Sequence, residues 1–131
     1  MPETQPPADV PGPLVLVVED YADAREMYAA SLRLDGLRVA EARDGDEAVR
    51  MTAELLPAVV VMDLSLPALD GWEAIRRIRA DPRSRAVRIV ALSGHGAARA
   101  DQAAGWDAFV VKPCMLDTLV SEVRRVLAIA R

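Results

Sequence analysis

Five residues of the 131-residue chain combine reactive chemistry with a telling position, because each falls at the end of a short apolar run. Glu19 and Asp20 follow "LVLVV", Asp63 ends "AVVVMD", Ser93 ends "VRIVALS", and Lys112, with Pro113, follows "DAFVV". A charge at the end of a buried run is costly unless something compensates it. If the first and third runs lie side by side, three carboxylates crowd together about one strand spacing apart, roughly 5 Å. Two like charges at about 4 Å repel by on the order of 4 kcal/mol at an effective dielectric near 20, so a counter-ion is needed. Carboxylates, a main-chain carbonyl and water are hard ligands suited to Mg²⁺, which keeps several waters. One histidine, His95, and one cysteine, Cys114, cannot close a tetrahedral zinc site. A phosphoryl group arriving beside such an ion needs further neutralisation and a hydroxyl donor, roles open to Lys112 and Ser93. Asp63 is then expected to act as a nucleophile that becomes an acyl phosphate.

Composition narrows the field. The net charge is −4 with acids and bases interspersed, so the basic footprint that phosphate backbones select is missing and nucleic acid is not an expected partner. No apolar run reaches membrane-span length, and the start "MPETQPPADVPGP" has neither a basic nor an apolar leader region. The expected location is the cytoplasm, which the single cysteine also suits. Fifteen of the sixteen cations are arginines, and the exception is Lys112. Chance alone could leave one lysine in so arginine-rich a chain; the functional reading is that position 112 needs a compact ammonium that a planar guanidinium cannot imitate.

The elements that must position these residues follow from periodicity. Residues 1–13 hold five prolines and little that can pack, and are read as a disordered tail; residues 14–131 form the domain. Strands are expected over 14–18, 37–42, 58–63, 87–93 and 107–111, and helices over 21–34, 46–55, 72–80 and 115–130. The first helix carries Ala24, Met27, Tyr28, Ser31 and Leu32 along one face. Asp44-Gly45 and Asp70-Gly71 read as turns. "GHGAARADQAAG" after the fourth strand favours helix with little to anchor it, making five β/α units and a mobile fourth helix. Strict β/α alternation implies a doubly wound five-stranded parallel sheet with right-handed crossovers. In the flavodoxin-like (βα)5 order, 2-1-3-4-5, ligands bind beyond the carboxyl ends of the strands where strand order reverses.

These residues resemble a known family, the response-regulator receiver domains of two-component signalling, from about residue 14 to residue 130. "VVEDYADAREM" is similar to the receiver's first strand and acidic pair, "VVVMDLSLPALDGWE" to its phosphoacceptor segment, "IVALSG" to its hydroxyl strand and "DAFVVKP" to its lysine-proline segment. The resemblance implies that Glu19 and Asp20 hold Mg²⁺, with Asp20 favoured over Glu19 as a direct ligand. It further implies that Asp63 is phosphorylated, that the main-chain carbonyl of Ser65 completes the metal sphere, and that Ser93 and Lys112 engage the phosphoryl oxygens. It also implies a cis Lys112–Pro113 peptide and an aromatic switch at Phe109. Turning Phe109 inward would rework the face made by the fourth helix, fifth strand and fifth helix, through which a monomer could form a weak homodimer.

The function so implied is that of a phospho-accepting receiver, supplied by a histidine kinase or phosphotransfer protein and catalysing only its own phosphorylation and dephosphorylation. No output domain is expected after Arg131, and a downstream protein target is expected instead, reached by relay or by direct binding. A receiver excised from a longer regulator is the alternative. An aspartyl-phosphate hydrolase of the haloacid-dehalogenase type also places an Asp at a strand end, but it wants a second acid two residues on, where Ser65 stands. Trp72 and Trp106 are expected to pack, and His95 to tune access to the site at most.

Overall fold

Alternation within each strand decides which helices cover which face of the sheet. The computed structural model describes residues 12–66, 69–94, 105–113 and 115–129. In chain order these form β1 (Leu14–Val18), α1 (Ala22–Leu34), β2 (Arg38–Ala42), α2 (Gly45–Leu55), β3 (Val59–Asp63), α3 (Gly71–Ala80), β4 (Arg88–Ser93), β5 (Ala108–Val111) and α4 (Leu116–Leu127). The five strands are parallel in the order β2-β1-β3-β4-β5, as expected for the flavodoxin-like fold. The helix expected after β4, together with His95, Cys114 and residues 1–11, lies outside the described residues.

Leu14, Leu16, Val18, Val60 and Met62 point to one face, where Ala48 and Met51 of α2 and Ala74, Ile75 and Ile78 of α3 pack on them. Val15, Val17, Val59, Val61, Val90 and Leu92 point to the other, against Tyr28, Ala29 and Leu32 of α1 and Leu119, Val123 and Val126 of α4. β1 and β3 are buried along their whole length, which is why they read as unbroken apolar runs. One inward assignment fails. Met27 is 55% exposed, because α1 meets the sheet along the line of Tyr28, Ala29 and Leu32 and Met27 sits about 100° round the helix from Tyr28.

Asp44-Gly45 and Asp70-Gly71 do more than turn the chain. Both open the pattern Asp-Gly-x-Glu, in residues 44–47 and 70–73. Asp44 and Asp70 are N-caps whose carboxylates accept the amide hydrogens of Glu47 and Glu73, each at 2.8 Å. The glycines allow close approach: a β-carbon on Gly45 would lie 2.1 Å from the Leu69 carbonyl oxygen, and one on Gly71 would lie 2.3 Å from that of Asp63. The first turns of α2 and α3 thus press on the segment that follows β3.

Candidate functional site

β1 pairs on one side with β2 and on the other with β3, so the strand order reverses between β1 and β3. Val18 and Met62 are register partners there, which carries the next residues, Glu19 and Asp63, past the sheet side by side. Glu19 is continuous with the ladder, donating its amide to Ala42 at 3.1 Å. On the other flank, Lys112 donates its amide to the Ser93 carbonyl at 2.7 Å, one step past the pairing of Ser93 with Val111. The peptide joining Lys112 to Pro113 is cis, as the family resemblance implies.

The side chains converge. One carboxylate oxygen from each of Glu19, Asp20 and Asp63 lies within 4.8 Å of the others. Glu19 and Asp63 are only 2% exposed, whereas Asp20 is exposed. The Lys112 ammonium reaches across the gap to Glu19 Oε1 at 3.1 Å and to Asp63 Oδ2 at 3.4 Å. The main-chain amides of Ser65 and Tyr21 donate to Asp63 Oδ1 at 2.9 Å and to Glu19 Oε2 at 3.3 Å.

One ammonium does not balance three acids. Burial, followed by the hydrogen bond and charge of Asp63, pushes the Glu19 carboxyl up to about 7, against the pull of Lys112 and the Tyr21 amide. Burial alone would lower the Lys112 pKa, but Glu19 and Asp63 together overcome it and hold the ammonium above its ordinary value. An excess of buried negative charge beside an exposed Asp20 suits a hard divalent cation, and these acids are all oxygen donors. The donor set therefore fits Mg²⁺.

Ser93, 2% exposed, ends β4 beside Lys112, one residue beyond the pairing of Asp63 with Leu92. Ser65 is exposed next to Asp63. Phe109 is half-buried on β5 opposite Ala91, its ring 5.2 Å from that of Trp106, which in turn meets Trp72 edge-on at 5.0 Å. Phe109 also borders a groove of about 400 Å³ along β5 and α4, lined by Val111, Pro113, Met115, Thr118 and Glu122. Sequence reading missed the close approach of Gly71 to the Asp63 segment and the capping of α3 by Asp70. The signal was available in the repeated Asp-Gly-x-Glu, a capping pattern just before helical periodicity.

Fold and site together define a receiver-type domain, and comparison with known proteins agrees. The family model described as the response regulator receiver domain matches residues 15–124. The chain belongs to that family. It is 37% identical over 119 residues to the transcriptional regulatory protein PrrA of Mycobacterium tuberculosis, covering 90% of this chain and 51% of that protein. It is 32% identical over 115 residues to the transcriptional regulatory protein AfsQ1 of Streptomyces coelicolor, covering 88% and 51%. The chain thus spans about half the length of these curated relatives. Among solved structures, the receiver domain of a sensor histidine kinase from Pseudomonas aeruginosa, with a magnesium ion coordinated in its active-site cleft, superposes with a TM-score of 0.84. It shares 33% identity, over 91% of this chain and all 100% of that one. The chemotaxis response regulator CheY4 of Vibrio cholerae superposes at 0.82 with 27% identity, over 88% and 99%. The expectation that nucleic acid plays no part finds no support among relatives named as transcriptional regulatory proteins. No helix among the described residues is long and apolar enough to cross a membrane.

Proposed function

We propose that Asp63 accepts a phosphoryl group from the phosphohistidine of a histidine kinase or phosphotransfer protein, in the cytoplasm, and that the modified domain signals to a protein target. The observation that carries this reading is the placement of a 2%-exposed Asp63 carboxylate in one cluster with Glu19 and Asp20, 3.4 Å from the Lys112 ammonium. Mg²⁺ would be held by the carboxylates of Asp20, Asp63 and Glu19 and the main-chain carbonyl of Ser65. When bound, the ion neutralises charge on the phosphoryl oxygens.

The chain's own groups supply the rest. A carboxylate oxygen of Asp63 attacks phosphorus; the new O–P bond forms as the N–P bond breaks, and its electron pair returns to the donor imidazole. The Ser65 amide, at 2.9 Å from Oδ1, orients the nucleophile before transfer. Lys112, whose ammonium lies 3.4 Å from Asp63 Oδ2, would pair with a transferred phosphoryl oxygen, and the Ser93 hydroxyl would donate to another. Movement of Ser93 toward the phosphate would let Phe109 turn and alter the groove along β5 and α4. In this reading the domain turns over no separate substrate; its chemistry is confined to gaining and losing its own phosphoryl group.

Incubation with Mg²⁺ and acetyl phosphate, followed by intact-mass measurement, tests the reading. Wild type is expected to gain one phosphoryl group and Asp63→Asn none. Uptake by Asp63→Asn at the wild-type rate would move the acceptor elsewhere.

A further inference from the structure

Behind the acidic pair stands a guanidinium that the phosphoryl chemistry does not use. Arg25, in the first turn of α1, donates from Nη1 to the main-chain oxygen of Glu19 at 3.0 Å and from Nε to Glu41 Oε1 on β2 at 3.3 Å. The side chains of Arg25 and Glu41 are 14% and 15% exposed, so both charges sit where an unpaired one would be costly. Glu41 is held in turn by Arg33 Nη2, at 3.3 Å, from the last turn of α1. The planar fork of Arg25 is shared between the Glu19 carbonyl and the Glu41 carboxylate.

The carbonyl that Arg25 grips occupies a particular place. Glu19 lies just past the last register pair of β1 and β2, Val18 with Ala42, and its amide makes the ladder bond to Ala42. Its carbonyl belongs to the peptide that joins Glu19 to Asp20. A peptide is planar, so whatever sets its tilt sets the direction of both flanking α-carbons and the side chains they carry. The Glu19 carboxylate has independent restraints in Lys112 and the Tyr21 amide. Asp20 is exposed, which leaves its aim more dependent on the backbone that Arg25 holds.

We propose that Arg25 is a positioning residue of the metal site: by bonding the carbonyl between Glu19 and Asp20, it aims the acidic pair at a divalent cation. The proposal rests on the metal-site reading above. Its sign separates it from a charge effect. A cation beside a metal site weakens metal binding by repulsion, so removing it for its charge alone would tighten binding. Loss of a positioning contact acts in the opposite direction, and groups of this kind typically change metal affinity by about 10- to 100-fold when removed.

The experiment is a calorimetric titration of Mg²⁺ into the full chain and into Arg25→Ala, Arg25→Gln, Arg33→Ala and Asp20→Asn. Arg25→Ala and Arg25→Gln are expected to bind Mg²⁺ about tenfold or more weakly; the glutamine variant keeps a long helix-forming side chain in case alanine prevents folding. Arg33→Ala loses a tie between α1 and β2 without touching Glu19, and is expected to melt lower yet bind Mg²⁺ as wild type does. In metal-free protein, amide exchange at Asp20 and Tyr21 is expected to quicken in the Arg25 variants and not in Arg33→Ala. Unchanged or tighter binding in the Arg25 variants overturns the proposal, as does an equal loss in Arg33→Ala, which would reduce Arg25 to a helix tether. Asp20→Asn is expected to lose binding; if it binds as wild type does, the metal-site reading itself falls.

Discussion

Glu19 is the residue in which the conflict at this site is most visible. Its carboxyl keeps a proton up to about 7 because burial and the neighbouring Asp63 disfavour the charge more than Lys112 and the Tyr21 amide favour it. An unfolded chain releases that proton near the ordinary glutamate value of 4.5. Between the two values the metal-free folded state holds more protons on Glu19, so this group's contribution to stability is fully present below about 4.5 and is lost as pH rises through about 7. The loss is on the order of 3 kcal/mol, since each tenfold change in proton affinity is worth about 1.4 kcal/mol. Melting in the presence of a chelator should therefore show a lower midpoint at pH 8 than at pH 5, and Glu19→Gln should flatten that step. A wild-type midpoint that does not fall over this range would show that the charge is compensated by something other than protonation. That these acids meet was legible in the sequence, since each ends a strand-like run; the protonation of Glu19 was not, since it depends on depth and on the 3.1 Å contact with Lys112.

At the scale of elements, the segment after β3 is braced by two helix starts of the same design. Asp70 caps α3 and Gly71 brings its first turn against the backbone of Asp63 and Leu64, while Gly45 brings α2 against Leu69. Removing a cap and adding a methyl should therefore have different consequences. Asp70→Ala is expected to cost about 1 kcal/mol in urea denaturation and to leave Asp63 in place. Gly71→Ala puts a β-carbon 2.3 Å from the Asp63 carbonyl oxygen and 2.6 Å from the Leu64 α-carbon. It should cost about 1–3 kcal/mol through overpacking and also slow phosphoryl uptake. Equal uptake rates in the two variants would mean that this approach does not place Asp63. The pattern Asp-Gly-x-Glu announced a helix start, but nothing local to residues 44–47 indicated that Gly45 would meet a carbonyl 24 positions along the chain.

In the whole molecule, the site lies on the central strands and the groove lies along the far edge, on β5 and α4. Phe109, Trp106 and Trp72 form a contact series from β5 to the first turn of α3. If phosphorylation at Asp63 is to be read by a partner at the groove, a phosphate mimic at the site must disturb the groove. Addition of Mg²⁺ and beryllofluoride is expected to shift the amide resonances of Val111, Met115, Thr118 and Glu122 as well as those near Asp63, while the outer face of α2 stays unchanged. Shifts confined to the neighbours of Asp63 would place the signalling surface elsewhere.

Strand positions, the parallel sheet and the gathering of Glu19, Asp20, Asp63 and Lys112 at one rim were determined by the sequence alone, because hydrophobic periodicity and strict β/α alternation are local properties that leave few topologies open. The exposure of Met27, the edge contact of Trp72 with Trp106 and the grip of Arg25 on Glu19 and Glu41 were decided only by the tertiary structure. They depend on the register of β1 with β2 and on where each helix rests on the sheet. Such quantities join residues far apart in the chain, and no short window of sequence encodes them.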